Sequence, residues 1–324
     1  RDVVTEAVKN DAMVLKFADL ALRGDRGVVS IAVRRDWRAL QFASTELRCD
    51  RTLVLTAVRQ DWSALQFAGP GPCSDEDVVL EAVRQDWRAV LLVSDDLRSN
   101  RGFILRGLSS GAMKLDFAAT SLRSDRGVVL AAVRRCGRDI SLASADLQED
   151  REVMIAAVEQ DPAALVFANT KLAGDTEIIR LAVRRSPSAL QYGTLAVRGN
   201  REVVLAAVRQ EGSALLYAAE PLKQDRGLVL EALRTDGDAL QFASAELRAD
   251  PEVALAALRQ SLSAHRFVSP TLLADPAFVH AVARHDWRIV EVMAPNLCGE
   301  RGIFETAVRQ EGRALRFASK ALRA

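Results

Sequence analysis

The sequence contains few of the residues that usually carry chemistry or cross-link a chain. Its 324 residues include 3 His, 4 Cys, 4 Met and 2 Tyr, and aromatic residues make up 5% of the total. No apolar run approaches the roughly 20 residues needed to cross a bilayer, so no transmembrane segment is predicted. There is no glycine-rich phosphate loop, no G-x-S-x-G elbow and no paired-carboxylate motif, so we expect neither an enzyme nor a cofactor.

The sequence also lacks paired cysteine motifs and an excess of either positive or negative residues. The cysteines form no CxxC pair, so we predict free thiols and a reducing compartment, such as the cytoplasm or an organelle matrix or stroma. They are Cys49, Cys73, Cys136 and Cys298. The 44 Lys and Arg are balanced by 43 Asp and Glu, which gives a net charge of +1. This balance argues against a general binder of polyanions.

What the sequence does contain is one pattern that recurs every 25 residues. An acidic or amide residue stands at each multiple of 25 from Asp25 to Glu300, and we number positions within a repeat from this residue as position 0. Most copies continue with a version of R-E-V-V-L-A-A-V-R-Q-D-G-x-A-L-Q-F-A-S-x-x-L-R-x. A fixed period of this length predicts a repeat array in which each unit contacts its neighbours. The predicted array is a single continuous domain over residues 1–324, with repeats at 1–24, 25–49, 50–74, 75–99, 100–124, 125–149, 150–174, 175–199, 200–224, 225–249, 250–274, 275–299 and 300–324.

The first and last repeats resemble interior repeats. Leu322 and the face of Ile303, Phe304 and Val308 keep the apolar pattern, and the chain begins without Met. The exposed faces of a free-standing repeat array normally carry polar capping residues. We therefore expect the chain to be part of a longer protein, or to be docked at its ends in an assembly.

Apolar spacing and proline positions predict three helical segments in each repeat. Positions 3, 4, 7 and 8 are apolar, as in Val28, Val29, Ala32 and Val33, and this spacing makes one helix face. A second apolar stripe covers positions 14, 15, 17, 18 and 22. Prolines at positions 1, 12 and 20 follow residues that are mostly good N-caps, and so mark helix starts; they are Pro251 and Pro276, Pro162 and Pro187, and Pro70, Pro270 and Pro295. We predict an all-α solenoid (a superhelical array) of two short helices per repeat, of about ten and about seven residues, plus a closing turn for which 3₁₀ geometry is suited.

Two segments carry a family resemblance. Residues 202–218, E-V-V-L-A-A-V-R-Q-E-G-S-A-L-L-Y-A, and residues 238–250, D-A-L-Q-F-A-S-A-E-L-R-A-D, resemble the helical repeat family catalogued as domain of unknown function 4116 (DUF4116). The resemblance extends over essentially the whole chain, implies helical repeats and supplies no catalytic residues. The period is also similar to that of leucine-rich variant repeats, in which α and 3₁₀ helices alternate. Residues 100–124, 69–72 and 275–299 depart from the pattern, and we expect bends or special surfaces there.

All four tryptophans share position 12, where other repeats have Gly, Pro, Ala or Leu. Because the fold needs no indole there, three tryptophans in successive repeats predict a stripe at the start of the second helix. Exposed tryptophan clusters are typical anchors for protein partners. The alternative is that each ring packs over the neighbouring repeat. The candidate partner-binding residues are Trp37, Trp62, Trp87 and Trp287.

Arginine dominates the basic residues, since only six of the 44 are Lys. It recurs at positions 1, 9 and 23, so stacking of repeats would align like charges. We predict that these arginines lie at helix C-termini or beside acids at positions 0 and 11 and form ion pairs between repeats. The alternative is a groove that follows the phosphates of RNA or DNA. The candidate anion-binding or inter-repeat ion-pair ladder at position 9 comprises Arg34, Arg59, Arg84, Arg134, Arg184, Arg209, Arg234, Arg259, Arg284 and Arg309.

The three histidines are His265, His280 and His285. They lack metal-ligand spacing, and no Cys or carboxylate completes a recognisable zinc set. We therefore expect no metal site. His265 replaces the core leucine of position 15, and we predict that it is hydrogen-bonded to a carbonyl group.

Together these patterns predict a non-catalytic protein–protein interaction scaffold, or a structural or accessory subunit of a larger multiprotein assembly. The expected partners are other proteins. The alternative is an RNA- or DNA-binding solenoid that uses the arginine ladder. The near-zero net charge and the lack of a regular aromatic ladder for stacking bases count against it.

Overall fold

Each repeat contains a first helix, a second helix and a closing turn. The computed structural model describes residues 1–293 and 295–324, and no strand occurs in those residues. Contacts divide the chain into two compact units, Arg1–Gln160 and Asp161–Ala324. The predicted all-α repeat fold is confirmed within each unit.

The first helix of every repeat is an α-helix of 8–10 residues, close to the predicted length. Its apolar positions are spaced for one face. An acid or amide at position 0 precedes it in all repeats but the first, where Arg1 stands before the helix. The first helices are Asp2–Asn10, Arg26–Arg35, Arg51–Val58, Glu76–Gln85, Arg101–Ser110, Arg126–Val133, Arg151–Gln160, Thr176–Arg185, Arg201–Val208, Arg226–Leu233, Pro251–Gln260, Pro276–Ala283 and Arg301–Gln310.

The second helix is a 3₁₀ helix, usually of six residues. The prediction of a second helix is confirmed, but the 3₁₀ geometry was expected in the closing turn. The second helices are Ala12–Phe17, Trp37–Phe42, Trp62–Phe67, Trp87–Leu92, Leu115–Phe117, Gly137–Leu142, Pro162–Phe167, Pro187–Tyr192, Gly212–Tyr217, Gly237–Phe242, Leu262–Phe267, Trp287–Glu291 and Gly312–Phe317.

The closing turn is a single α-helical turn in most repeats and a 3₁₀ turn in two. The α-helical turns are Leu20–Arg23, Thr45–Arg48, Pro70–Cys73, Asp95–Arg98, Ala145–Gln148, Thr170–Ala173, Leu195–Arg198, Glu220–Lys223, Ala245–Arg248, Pro270–Leu273 and Lys320–Arg323. The 3₁₀ turns are Leu122–Ser124 and Pro295–Gly299.

N-cap side chains stand at the starts of these three segments, where the prolines predicted helix starts. Asp250 accepts hydrogen bonds from the backbone N–H groups of Glu252 and Val253. Asp236 caps the following 3₁₀ helix, and Ser244 caps the closing turn by accepting from the N–H of Leu247. The predicted cap before Pro295 falls on Ala294, which lies outside the described residues.

The core consists of small and branched side chains from the first helix and leucine from the second. Val28, Val29, Ala32 and Val33 are at most 1% exposed, and Leu40 is fully buried. The aromatic residue at position 17, which the sequence placed in the core stripe, is instead half-buried in most repeats, as at residues 42, 67 and 242.

Polar backbone groups also join one repeat to the next. The N–H of Ser44 donates to the carbonyl of Arg23 at 3.0 Å, and the same bond recurs between Ser244 and Lys223. The side chain at position 10 adds a second link, since Gln60 Nε2 donates to the carbonyl oxygen of Val33 at 2.6 Å. This glutamine satisfies a carbonyl at the end of the preceding first helix, which would otherwise lack a partner.

Two of the irregular repeats identified in the sequence are also irregular in structure. In residues 100–124 the second helix shortens to Leu115–Phe117. Gly111 ends the first helix at φ 79°, a left-handed conformation that favours glycine. Gly107 replaces the usual alanine of position 7, and the Met113 side chain occupies the space of the missing methyl group. In residues 275–299 the second helix shortens to Trp287–Glu291.

Candidate functional site

Three successive second helices begin with tryptophan, and these residues form what we call the tryptophan row: Trp37, Trp62 and Trp87. An aspartate before each ring caps the 3₁₀ helix; Asp86, for example, accepts from the N–H of Arg88 at 2.8 Å. The rings differ in exposure. Trp87 is 58% exposed, whereas Trp37 and Trp62 are half-buried. The fourth tryptophan, Trp287, is half-buried and belongs to the other unit.

Two rings of the row stack on the following repeat. The ring centroids of Trp37 and Phe67 are 6.0 Å apart at an interplanar angle of 28°. Trp87 and Phe117 are 6.4 Å apart at 12°. The middle ring, Trp62, is covered by the guanidinium of Arg88 at 5.4 Å from its centroid. The rings therefore take part in contacts between repeats, as the alternative interpretation of position 12 holds, and Trp87 remains largely open to solvent.

The exposed apolar surface extends beyond the tryptophans. Leu91, at position 16 of the same helix as Trp87, is 75% exposed. Position 16 is Gln in several repeats, including Gln41 and Gln66, so Leu91 is an apolar residue at a normally polar place. Leu91 was not predicted from the sequence, although its departure from the repeat pattern was a readable signal. Trp87 and Leu91 together form the candidate anchor for a partner.

Arginines at position 1 form the regular ladder between repeats. In seven repeats the guanidinium pairs with the position 0 aspartate of the next repeat, at N–O distances of 2.7–3.3 Å. Hydrogen bonds from Arg101 and from the N–H of Val128 hold the pKa of Asp125 below its ordinary value. The pairs are Arg1–Asp25, Arg26–Asp50, Arg51–Asp75, Arg101–Asp125, Arg126–Asp150, Arg201–Asp225 and Arg226–Asp250.

The candidate arginines at position 9 are all exposed, near the C-termini of the first helices. Arg209 pairs with Glu231 of the next repeat at 3.3 Å, and Arg259 donates to His285 Nε2 at 3.0 Å. Arg84 and Arg234 pair with a glutamate of their own helix. The remaining six form no ion pair with any residue that the structure describes: Arg34, Arg59, Arg134, Arg184, Arg284 and Arg309.

Two arginines at position 23 satisfy carbonyl groups of their own repeat, whereas in three others the Nε is buried without a hydrogen-bond partner among the described residues: Arg48, Arg198 and Arg248. Arg23 Nε donates to the carbonyl oxygen of Ala18 at 2.9 Å. Arg123 makes the equivalent bond to Ala118 at 3.2 Å. These guanidinium groups satisfy carbonyls at the end of the second helix, where backbone acceptors lack partners within the helix.

The histidines are used in separate hydrogen bonds. His265 is half-buried, and its Nδ1 lies 2.8 Å from the carbonyl oxygen of Leu262, which agrees with the predicted carbonyl partner. His280 contacts Thr306 Oγ1 at 3.0 Å. In the described part of the chain, no three His, Cys, Asp or Glu residues are grouped in a way that could hold a metal ion. The cysteines are free thiols.

Comparison with known proteins identifies the repeat. The sequence profile of the family described as "Domain of unknown function (DUF4116)" matches residues 1–48, 25–71, 50–98, 150–194, 200–248 and 225–273. Together these matches cover more than half of the chain. No curated protein matches the sequence. Within residues 1–293 and 295–324, no helix has the length and apolar character to span a membrane.

Proposed function

The chain belongs to the DUF4116 family of helical repeats, and from that premise we propose that it is a non-catalytic scaffold that binds other proteins, or a structural subunit of a multiprotein assembly. The contact surface of this scaffold is centred on the tryptophan row and Leu91. One observation carries the proposal: Trp87 and Leu91 are 58% and 75% exposed on one helix. Large exposed apolar side chains mark sites of protein contact, and tryptophan is enriched among the residues that dominate binding energy.

The stacking of the rings supports this role for the surface. Trp87 is already held against Phe117, so binding would immobilise little additional side-chain freedom. A pre-ordered anchor loses less entropy on association than a mobile one. The charges nearby are suited to the rim of an interface, since Arg88 lies over Trp62 and also pairs with Asp86 at 2.6 Å.

An arginine surface supports the second candidate function, binding of RNA or DNA. Six position 9 arginines are exposed and have no ion pair among the described residues. Against this, the position 1 arginines are neutralised by aspartates of the next repeat. Nucleic-acid affinity depends on the number of phosphates that free cations contact. Because the regular ladder of position 1 arginines is neutralised, we favour the protein scaffold over nucleic-acid binding.

The test is affinity for a partner that co-purifies from the native source and is then purified itself. A variant with Trp87→Ala and Leu91→Gln installs residues that other repeats carry, Ala12 and Gln41. We expect it to remain folded and to bind at least about tenfold more weakly, because buried tryptophan anchors often contribute 2 kcal/mol or more. Leu216→Gln, at the exposed position 16 of a repeat in the other unit, is the matched control and should keep wild-type affinity.

Two results would contradict the proposal. If the double variant kept full affinity, Trp87 and Leu91 would have no role in partner binding. If the unmodified chain bound a single-stranded RNA or a DNA duplex tightly, with affinity falling steeply as salt rises, the nucleic-acid function would replace the scaffold.

A further inference from the structure

A polar groove lies between the first helices of residues 25–49 and 50–74. It encloses about 390 Å³ and is lined by Arg26, Ser30, Arg34, Thr52 and Thr56. We call it the hydroxyl groove. None of its lining residues, all of them in the described part of the chain, carries a carboxylate.

Helical spacing places these groups in two facing rows. Arg26, Ser30 and Arg34 are four residues apart on the helix Arg26–Arg35, so they lie along one face. Thr52 and Thr56 are four residues apart on the facing helix Arg51–Val58. The groove therefore has hydroxyl groups along its length and a guanidinium from each end of one helix.

The guanidinium groups of the groove are only partly neutralised. Arg26 Nε pairs with Asp50 at 3.0 Å, but its Nη2 donates to the neutral hydroxyl of Thr52 at 2.7 Å. Arg34 is exposed and forms no ion pair with a described residue. With two guanidinium groups and one neighbouring carboxylate, the groove has a net positive charge.

The corresponding surface between residues 225–249 and 250–274 has the same two arginines and different neighbours. Arg226 pairs with Asp250, as Arg26 does with Asp50, but its second partner is the carboxylate of Glu252. Arg234 pairs with Glu231 at 3.5 Å. Leu230 stands in the place of Ser30. Glu252, Leu230 and Ala256 here replace the three hydroxyl residues, so this surface serves as a control within the same chain.

We propose that the hydroxyl groove binds a phosphate monoester, presented as a phosphorylated serine or threonine of a partner protein. This inference rests on the proposed protein-binding function and adds the chemistry of the partner. A phosphoryl group has three strong acceptor oxygens, and guanidinium and hydroxyl groups are its usual donors. The hydroxyls of Thr52 and Thr56 already donate to Asp50 Oδ1 and to the carbonyl oxygen of Thr52. The donors offered to the phosphoryl oxygens are therefore the guanidinium groups of Arg26 and Arg34 and the hydroxyl of Ser30. Arg34 lies three residues before Trp37, so one partner segment could reach both the groove and the tryptophan row.

The experiment titrates the chain with a blocked, neutral pentapeptide that has phosphoserine at its centre. Binding is followed by amide chemical shifts and by calorimetry at physiological salt. The comparison ligands are the unphosphorylated peptide, inorganic phosphate and a ten-nucleotide uridine RNA. Variants are Arg34→Ala and Thr52→Glu, the latter installing the acid that residues 152, 202 and 252 have at this position. Arg234→Ala is the matched control.

We expect the phosphopeptide to shift amides of residues 26–34 and 51–56, with no response to the unphosphorylated peptide. Arg34→Ala and Thr52→Glu should each weaken binding at least about tenfold, while Arg234→Ala changes it by less than about twofold. Equal losses in Arg34→Ala and Arg234→Ala, or full affinity in Thr52→Glu, would overturn the site. Inorganic phosphate or RNA that binds as tightly as the phosphopeptide would overturn the partner assignment.

The outcome is separable from the test of the tryptophan row. The pentapeptide has no apolar anchor, so its affinity depends on the groove alone. The variant with Trp87→Ala and Leu91→Gln should bind it as the wild type does. If the double variant kept full affinity for the partner protein, the phosphopeptide titration would still test the groove. If the phosphopeptide did not bind, the scaffold proposal would still be tested by the partner affinity of the double variant.

Discussion

The repeats that begin their second helix with tryptophan differ from those that begin it with glycine. In residues 25–49 the Trp37 ring reaches across to Phe67 of the next repeat, with centroids 6.0 Å apart. In residues 225–249 the backbone at position 12 lies close to the backbone of the next repeat. A Cβ atom added to Gly237 would lie 2.6 Å from the carbonyl oxygen of Ala257, and one on Gly212 would overlap the carbonyl oxygen of Ala232.

The comparison shows that one repeat fold accommodates two kinds of contact at position 12. At Gly237 the backbone N–H donates to Gln260 Oε1 at 2.6 Å. The close carbonyl oxygen of Ala257 leaves no room there for a side chain. At Trp37 and Trp87 a stacked phenylalanine of the next repeat fills the same boundary. Glycine and tryptophan are therefore not interchangeable here. For this reason alanine, rather than glycine, is the substitution chosen to test the tryptophan row.

The largest expected effect tests whether the core is the same in both regions. Leu65 and Leu240 are 1% and 0% exposed. Replacing either by Ala should lower the free energy of unfolding by about 2–5 kcal/mol, because each leaves a cavity in a packed interior. The exposed neighbours provide controls: Gln66→Ala and Gln241→Ala should cost less than about 0.5 kcal/mol. Urea denaturation would measure all four. A clearly larger loss for one leucine would mean that position 12 also changes the core beneath it.

A smaller effect tests the close approach at glycine. Gly237→Trp should destabilise by about 1–3 kcal/mol, since the side chain must displace the backbone of the next repeat. The control is Gly312→Trp at the same position of the last repeat, where no atom lies within 4 Å of an added Cβ. It should cost less than about 0.5 kcal/mol. Equal melting temperatures for these two variants would contradict the close packing inferred at Gly237.

The smallest effect concerns the caps, which should be alike in both regions. Hydrogen bonds from Arg201 and the N–H of Leu228 lower the pKa of Asp225 from its ordinary 3.8. Burial raises the pKa of Asp50, but hydrogen bonds from Thr52 and Leu53 outweigh it and the net shift is also downward. The folded state then binds fewer protons than the unfolded state. This stabilisation is present above about pH 3.8 and is lost as pH falls through the lower folded pKa.

Asparagine in place of either aspartate would keep the cap, as Asn200 does by accepting from the N–H of Glu202 at 3.0 Å. Asp225→Asn and Asp50→Asn should each cost less than about 1 kcal/mol at pH 6, because the ion pairs are exposed. The difference from wild type should shrink as pH approaches 3. Thermal unfolding at several pH values measures it. A difference that stays constant would show that these carboxylates do not contribute through ionisation.

Much of the fold could be predicted because its determinants lie within one repeat. Asp250, followed by Pro251, marks the start of a helix because its carboxylate accepts a hydrogen bond from the nearby N–H of Val253. The apolar spacing of Val28, Val29, Ala32 and Val33 identified the buried face for the same reason. Three features were not predicted: the 3₁₀ geometry of the second helix, the half-burial of the position 17 aromatics and the exposure of Leu91.

The candidate site was predicted in part. The shared position 12 singled out the tryptophans, but the sequence did not predict their exposure or which side chains they contact. By itself, the sequence determined the 25-residue period, the helix starts and the apolar face, since hydrogen bonding and burial at these positions depend on nearby residues. Only the tertiary structure decided that Trp37 stacks on Phe67, that Arg26 meets Thr52 and that Gly237 meets Ala257. Those contacts depend on how closely two repeats approach, and this spacing is set by packing across the whole boundary between them.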